Sequence, residues 1–351
     1  MSEKTGVAII GCGMISEFQS KAIAALPDAR VVGYFDTVAE MAKKRAGEYG
    51  AKAYATLDEM FADGAVHAVS ICTPSGLHME PAVAAARAGK HVMVEKPIEV
   101  TLERIDAIIE ACNGAGVILG AIFPRRFQES SRVVKDAIAQ GRFGKIHLAD
   151  VTIKWYRSQA YYDQGGWRGT WKLDGGGALM NQGIHGIDLV QWLMGGITDV
   201  TAFTATLGHE RIEVEDVAVA SVRFANGALG TIEGTTGSWP GSKIRIEIGG
   251  MNGSAILEDE TILAWQFQDA GAADEEIRKK FGPQAAPASG GGAGDPRAIS
   301  FEGHRLQFED FVRAIRTQSE PSCGGADARA AVAIITSIYR AAREGRAVRV
   351  E

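Results

Sequence analysis

Short apolar segments alternate with helical patterns through the first 120 residues of the chain, and this alternation is the feature that most limits its fold. The apolar segments lack the polar alternation of a half-solvated strand, so each predicts a strand buried on both faces. The predicted strands are Gly6–Ile10, Arg30–Phe35, His67–Cys72, His91–Val94 and Val117–Gly120, and the predicted helices are Ile15–Leu26, Val38–Tyr49, Leu77–Ala88 and Leu102–Asn113. This order indicates a doubly wound parallel sheet covered by helices.

Longer segments with alternating polar and apolar residues follow a predicted helix at Ser130–Gln140. They are Lys145–Trp155, Asp199–Gly208, Val217–Phe224, Ala228–Thr236, Lys243–Gly249 and Gly253–Leu257. Such alternation, with Asn-Gly turns between neighbouring segments, predicts a mostly antiparallel sheet with one covered face. Two helices, Phe301–Thr317 and Ala326–Glu344, are predicted to close the chain, and Gly282–Ala298 is predicted to form a long surface loop.

The length of 351 residues exceeds what one compact core usually serves. We therefore predict a doubly wound domain at residues 1–122 and an α+β domain at residues 123–351, which binds substrate and forms the contacts between subunits.

The formal net charge of −6 and the lack of a basic stripe argue against a nucleic-acid partner. The sequence contains neither a signal peptide nor an apolar run long enough to span a membrane, so we expect a cytoplasmic protein. The four cysteines, Cys12, Cys72, Cys112 and Cys323, are far apart and form no C-x-x-C pair. We therefore expect buried thiols in a reducing compartment, with no disulfide and no metal site.

A glycine turn, Gly11-Cys12-Gly13-Met14-Ile15-Ser16, joins the first predicted strand to the first predicted helix. Gly11 can adopt a positive φ, and the missing side chain at Gly13 lets a pyrophosphate approach the backbone. The helix that begins near Met14 and Ile15 offers unpaired N–H groups and a partial positive charge to that pyrophosphate. The turn therefore predicts a dinucleotide site, although the string alone also occurs in ordinary tight turns.

Asp36 ends the second predicted strand, about 20 residues beyond the turn. A carboxylate at this place accepts hydrogen bonds from the adenine ribose hydroxyls and repels a 2′-phosphate, so Asp36 favours NAD over NADP. The alternative is an N-cap for the helix that begins near Val38.

Four further strings follow in order: ICTPSGLH at residues 71–78, VEKP at 94–97, WRGTW at 167–171 and GGGALMNQGIHGID at 175–188. In order and spacing they closely resemble the Gfo/Idh/MocA family of sugar and cyclitol oxidoreductases. The resemblance extends over essentially the whole chain, including the closing FEDFVRAI and IYRAAREGRAV segments. It implies an N-terminal Rossmann domain that binds NAD.

The resemblance implies catalytic and substrate-binding roles for Lys96 and His185. Lys96 leaves the carboxyl end of the fourth strand, where an ammonium can stabilise alkoxide character as hydride leaves carbon. A histidine has an unperturbed pKa suited to accepting a hydroxyl proton near neutral pH, and Asn181 and His185 share one face if a helix begins near Met180. Taken alone, Lys96 is more typical of a surface lysine before a turn, and His185 of a structural histidine in an apolar helix; the flanking residues and the resemblance reverse this preference.

Two positions depart from the family pattern. Many members carry an aspartate where this chain has Asn181, and an amide cannot stabilise an imidazolium by charge, so we assign Asn181 to substrate binding. Gln19 stands where a histidine is frequent, and the sequence assigns it no role. Asp188 has two alternatives, pairing within the fold or orienting a site residue.

The resemblance also implies further contacts with the two ligands. Trp167 and Arg168 would lie against the nicotinamide half of the cofactor, with packing in a connecting loop as their alternative. The other implied cofactor contacts are Met14, Ile15, Thr73, Pro74, His78, Glu95 and Lys96. The candidate substrate contacts are Tyr156, Arg157, Tyr161 and His304, each equally compatible with a surface or core role.

These residues predict an NAD-dependent dehydrogenase that reversibly oxidises a secondary alcohol of a sugar, sugar derivative or cyclitol. One alternative is a glycoside hydrolase or epimerase that oxidises its substrate transiently with tightly bound NAD. Another is a redox-silent NAD-binding sensor, against which the pair Lys96 and His185 argues. If the second face of the C-terminal sheet is apolar, a homodimer or homotetramer is expected.

Overall fold

The computed structural model of the chain describes residues 4–285 and 301–351. They form two compact units, one of residues 4–124 with 301–329 and the other of residues 125–285 with 330–351. Each unit contains one β-sheet.

The first unit contains a six-stranded parallel sheet of order β3-β2-β1-β4-β5-β6, which confirms the predicted doubly wound fold. Its strands are β1 Thr5–Ile10, β2 Ala29–Phe35, β3 Lys52–Ala53, β4 Ala68–Ile71, β5 His91–Val94 and β6 Leu119–Ala121. Its helices are α1 Met14–Ala24, α2 Ala39–Tyr49, α3 Leu57–Ala62, α4 Met79–Arg87 and α5 Leu102–Ala115. Every residue of β1 and β4 is buried, as expected for strands covered on both faces.

Helix α10, Glu302–Thr317, belongs to this first unit although it follows the second sheet in the chain. It packs on α1, and Phe308, Phe311 and Val312 join the apolar core that contains Ile9 and Ile23. The core of the first unit is therefore completed by a distant segment.

The second unit contains an eight-stranded sheet of order β13-β12-β11-β7-β10-β9-β8-β14. Its strands are β7 Ile146–Lys154, β8 Ile197–Ala205, β9 Val217–Phe224, β10 Leu229–Thr235, β11 Arg245–Gly250, β12 Gly253–Glu258, β13 Thr261–Phe267 and β14 Val348–Arg349. All neighbouring strands are antiparallel except β7 and β10, so the predicted mostly antiparallel sheet is confirmed. Buried and exposed residues alternate along β9, which leaves one face of the sheet covered.

The helices associated with the second sheet are α6 Glu129–Ala139, α7 Gln159–Asp163, α8 Ile184–Met194, α9 Ala272–Phe281 and α11 Gly325–Glu344. Strands β3, β13 and β14 and helices α3, α7 and α9 are not among the predicted elements. Most of the predicted loop Gly282–Ala298 lies outside the described residues. Within the described parts of the chain, no helix has both the length and the apolar character needed to cross a bilayer.

Candidate active site

The glycine turn lies at the carboxyl edge of the first sheet, where the strand order reverses between β1 and β4. Gly11 has a φ of +93°, and a Cβ on it would lie 2.7 Å from the carbonyl carbon and oxygen of Cys72. Gly13 is exposed, and apart from Gly13 and its two chain neighbours no atom of the described residues lies within 4 Å of the place its Cβ would take. Gly13 is also the N-cap of α1 and has no side chain to bond the first N–H groups. The turn therefore leaves a helix N-terminus open, which fits a pyrophosphate.

The two glycines predict different losses. Gly11→Ala should lower the midpoint of thermal unfolding, because it places a side chain at positive φ against Cys72; the cost is about 1–3 kcal/mol. Gly13→Ala has an allowed φ of −71° and should fold normally, but we expect it to weaken NAD binding by about tenfold or more. Thermal unfolding and an NAD fluorescence titration measure the two effects, with Gly47→Ala on α2 as the control. Unchanged NAD affinity in Gly13→Ala would contradict the assignment.

Asp36, half-buried after β2, connects two backbone segments. Its Oδ2 accepts a hydrogen bond from the Cys12 N–H at 2.7 Å, and its Oδ1 accepts one from the Val38 N–H at 2.8 Å. The N-cap of α2 is Val38, so Asp36 is not the helix cap of the alternative interpretation. These two bonds use about half of the lone pairs of a carboxylate, which leaves acceptor capacity for ribose hydroxyls.

His78 connects the loop after β4 with the loop after β5. Its two ring nitrogens lie 2.9 Å from the carbonyl oxygens of Thr73 and Pro97, and the side chain is buried. Thr73 and Pro74 are half-buried at the carboxyl edge of the sheet. The arrangement makes His78 a support for these loops, and its predicted contact with the cofactor stays a prediction.

Lys96 follows β5 at the same edge and is the only residue from Val92 to Glu99 that is not buried. The N–H of Lys96 donates to Oε2 of Glu95 at 3.0 Å, and its peptide bond to Pro97 is cis. Lys96 is therefore the one charged residue of the segment 92–99 that is accessible to solvent.

Buried polar side chains contact the carboxylate of Glu95 or lie close to it. Gln19 donates from Nε2 to Glu95 Oε1 at 2.6 Å, and Ser70 donates from its hydroxyl to Gln19 Oε1. His304 Nε2 lies 3.9 Å from the same Glu95 oxygen. Burial lowers the pKa of His304 against the opposing effect of the Glu95 charge, and the nearby Lys96 lowers it further. The sequence assigns no role to Gln19, and the structure shows that it orients Glu95.

The GGGALMNQGIHGID string forms a π-helical turn, Ala178–Gly183, which continues directly into α8. Asn181 lies in the π-helical turn and His185 in the first turn of α8, so the helix begins near Met180 as expected but with π-helical rather than α-helical geometry. From Asp174 to Gln191 every residue except His185 is buried. This segment too presents a single ionisable side chain.

Glu215 anchors the start of the π-helical turn. Its Oε2 accepts from the Gly177 N–H at 2.9 Å, and its Oε1 accepts from the Leu179 N–H at 2.8 Å and the Tyr339 hydroxyl at 2.9 Å. Its carbonyl oxygen accepts from the Ala178 N–H at 3.0 Å, and a Cβ on Gly177 would lie 1.9 Å from that oxygen. Burial raises the pKa of Glu215 to about 7, against the opposing effect of these hydrogen bonds.

Asn181 lies within a set of buried polar side chains. Its Nδ2 donates to Asp174 Oδ1 at 2.5 Å, and its Oδ1 accepts from Gln182 Nε2 at 3.0 Å. Gln182 Oε1 in turn accepts from Arg157 Nε at 3.0 Å. Arg157 is 3% exposed, so in this structure it is a framework residue rather than a surface cation.

Aromatic rings and a guanidinium cluster around Tyr161. The Arg168 guanidinium carbon lies 4.8 Å from the ring centroid of Tyr161 and 5.0 Å from that of Trp167. Tyr156 is elsewhere, packed edge to face against Trp239 with ring centroids 5.0 Å apart. The structure therefore groups Trp167, Arg168 and Tyr161 without Tyr156.

Asp188 pairs within the fold. Arg126 donates from Nε to Asp188 Oδ2 at 2.8 Å and from Nη2 to Oδ1 at 2.6 Å, and both side chains are buried. Of the two alternatives left open by the sequence, the structure shows this one.

Several residues of the site were invisible in the sequence pattern. They are Ser70, Asp174, Gln182, Glu215 and Tyr339. Gln182 and Tyr339 stand within family-like segments, but neither segment indicates a partner for its polar side chain. Ser70, Asp174 and Glu215 lie outside these segments, so no motif could have identified them.

A parallel sheet of order 3-2-1-4-5-6 with an open glycine turn at its reversal point defines a dinucleotide-binding protein, and the carboxyl edge that also presents Lys96 is where such proteins bind their ligands. Family models match both parts of the chain. Residues 5–123 match the oxidoreductase family with an NAD-binding Rossmann fold, and residues 131–256 match the GFO/IDH/MocA C-terminal domain. The chain belongs to the Gfo/Idh/MocA oxidoreductase family and is an NAD-dependent oxidoreductase.

Individual proteins match over nearly the full length of the chain. The WlbA dehydrogenase of Bordetella pertussis, solved with NADH and UDP-GlcNAcA, is 35% identical, with a TM-score of 0.90 and coverage of 100% of this chain and 99% of that one. A levoglucosan dehydrogenase solved with NADH and levoglucosan is 26% identical, with a TM-score of 0.86 and coverage of 99% and 100%. The myo-inositol 2-dehydrogenase of Thermotoga maritima is 26% identical over 98% of each chain.

Proposed function

We propose that this NAD-dependent oxidoreductase oxidises a secondary alcohol of a sugar or sugar derivative, with Lys96 and His185 as its catalytic residues. One observation carries the assignment of the two residues. Each is the single side chain that an otherwise buried segment leaves accessible, at residues 92–99 and 174–191. Ligand sites are typically lined by mostly apolar, closed surroundings with a small number of accessible polar groups, and the two side chains fit this description.

In this proposal the two side chains act on the substrate hydroxyl. His185 accepts the hydroxyl proton at a ring nitrogen, which is the task of a general base. The Lys96 ammonium donates a hydrogen bond to the same oxygen and stabilises the negative charge that develops there. The nicotinamide supplies the hydride acceptor when NAD is bound.

The first unit provides the residues that would hold NAD. Gly11 and Gly13 would accommodate the pyrophosphate at the start of α1, where Met14 is exposed and Ile15 half-buried. Asp36 would accept the adenine ribose hydroxyls. The other proposed cofactor contacts are Thr73, Pro74, His78, Glu95, Lys96, Trp167 and Arg168.

We select UDP-GlcNAcA, levoglucosan and myo-inositol as the first substrates to assay, because the matching proteins are named for them or were solved with them. UDP-GlcNAcA comes first among these, since the protein solved with it shares 35% of its residues with this chain. The substrate contacts in this proposal are Lys96, Asn181, His185, Tyr156 and Tyr161.

A substrate assay tests the proposal directly. Purified protein with NAD and each candidate should form NADH, measured by its near-ultraviolet absorbance, and NADP should support a lower rate. If no sugar derivative or cyclitol in such a panel is oxidised, the proposed function is wrong. The similar proteins described above are dehydrogenases, which does not favour the alternative of a glycoside hydrolase or epimerase that oxidises its substrate transiently. An enzyme of that kind would release its product without accumulation of NADH.

We also propose a homodimer or homotetramer formed through the outer face of the second sheet. Phe203 is 86% exposed and pairs with Val219 across the strands, and exposed Leu229 pairs with exposed Leu148. Two exposed apolar pairs on neighbouring strands are typical of a covered face. A monomeric mass by light scattering would contradict this proposal.

We also propose a cytoplasmic location for the protein. Its four cysteines are buried free thiols, as expected in a reducing compartment.

A further inference from the structure

The hydrogen bonds around Asn181 form a chain of four buried side chains with a direction. Donation runs from Arg157 Nε to Gln182 Oε1, from Gln182 Nε2 to Asn181 Oδ1, and from Asn181 Nδ2 to Asp174 Oδ1. Exposed fractions are 3% for Arg157, 7% for Gln182, 9% for Asn181 and 1% for Asp174. The chain is therefore shielded from water, where a mismatched polar contact is costly.

The two ends of this chain determine its direction. A guanidinium can only donate, so the oxygen of the Gln182 carboxamide must face Arg157 and its nitrogen must face Asn181. Both carboxyl oxygens of Asp174 accept hydrogen bonds, Oδ2 from the Gly169 N–H and Oδ1 from Asn181 Nδ2, so the nitrogen of the Asn181 carboxamide must face Asp174. Neither amide can be rotated by 180° without placing two donors or two acceptors together.

We propose that Asp174 is a positioning residue that requires an amide at position 181 and sets the orientation in which Asn181 meets the substrate. The inference rests on the substrate-binding role proposed for Asn181. It also explains why this chain has asparagine where many relatives have aspartate. Asn181 Nδ2 and Asp174 Oδ1 are 2.5 Å apart, so a carboxylate at 181 would lie at about this distance from the carboxylate of Asp174. Two carboxylates so close together cannot both ionise.

The inference identifies one compensating substitution. In the natural protein the Gly169 N–H donates to Asp174 Oδ2 at 2.9 Å. In Asp174→Asn, the oxygen of the introduced carboxamide would accept this hydrogen bond. The carboxamide nitrogen would then face the nitrogen of Asn181, which places two donors together. In the double variant Asp174→Asn/Asn181→Asp, that introduced nitrogen would donate to the new carboxylate at 181. The carboxylate would still accept from Gln182, so each hydrogen bond described above would again pair a donor with an acceptor.

The test is a four-member set: the natural protein, Asn181→Asp, Asp174→Asn and the double variant, each measured by thermal unfolding and by NADH formation. We expect each single variant to lower the unfolding midpoint by about 5 °C or more, and the double variant to return to within about 2 °C of the natural protein. Losses that add in the double variant would overturn the inference. Asn226→Asp, in an exposed turn where the side-chain oxygen only accepts from the Ala228 N–H, is the control for adding a carboxylate.

Solubility and activity give two further outcomes. If both single variants are insoluble and the double variant is soluble, the pairing is supported; an insoluble double variant would overturn it. The natural orientation at 181 places an amide before the substrate, so the double variant should regain stability but retain a kcat/KM at least about tenfold below that of the natural protein. Full recovery of both would support the Asp174–Asn181 pairing while contradicting the proposed substrate contact, so the two failures are distinguishable.

Discussion

A Lys96→Ala variant is expected to lose about 10²- to 10⁴-fold in kcat while it retains NAD binding. The reason is that Lys96 alone reaches the surface from the buried segment after β5, and its ammonium is the group proposed to stabilise charge on the reacting oxygen. The glycine turn and Asp36, which are proposed to hold most of the dinucleotide, do not depend on the side chain of Lys96.

Two measurements separate catalysis from binding in this variant. Steady-state NADH formation reports kcat, and quenching of intrinsic fluorescence by NAD reports the Kd. Lys44→Ala, which removes an exposed lysine on α2, is the matched control and should behave as the natural protein. Turnover of Lys96→Ala equal to that of the control would show that Lys96 has no catalytic role.

A Glu215→Gln variant is expected to change how stability depends on pH. Burial raises the pKa of Glu215 from its ordinary 4.5 to about 7 in the folded protein, so the folded state binds this proton more tightly than the unfolded state. The contribution of Glu215 to the free energy of unfolding is then fully present below about pH 4.5 and is lost as the pH rises through about 7. The difference amounts to about 3 kcal/mol.

Urea unfolding across this pH range measures the effect. The natural protein should lose stability between about pH 4.5 and 7.5 relative to Glu215→Gln, because the amide does not titrate. Tyr339→Phe removes one donor but keeps the carboxylate, so it should retain the pH dependence. Parallel curves for the natural protein and Glu215→Gln would show that the carboxyl group of Glu215 does not titrate in this range.

The predictable part of the fold was the part encoded by short-range periodicity. Strands β1, β4 and β5 are mostly apolar because helices cover both faces. The glycine turn is recognisable because a positive φ and a close approach to Cys72 require Gly11. Alternation along β9 similarly predicted its covered face. Strand β3 was not predicted because it has only two residues, and helix α9 was not predicted because most of its residues are charged.

The arrangement of the candidate site was less predictable because it depends on distant pairs. Glu215 meets Gly177 and Tyr339, which are 38 and 124 residues away in the chain, and Gln19 meets Glu95 at a separation of 76. None of these pairs leaves a periodic or motif signal. The π-helical turn before α8 was also hidden, since nothing in local propensity distinguishes it from an α-helical start.

The directed run of donors from Arg157 to Asp174 has a consequence for the history of this protein. A lineage that comes to carry aspartate at position 181 and asparagine at position 174 must pass through a single substitution that impairs the fold, whichever position changes first, unless both change at the same time. Homologous sequences should therefore show the two positions changing together. Whether a relative carries an amide at position 181 then depends on the residue it inherited at position 174, and not only on the chemistry of its substrate.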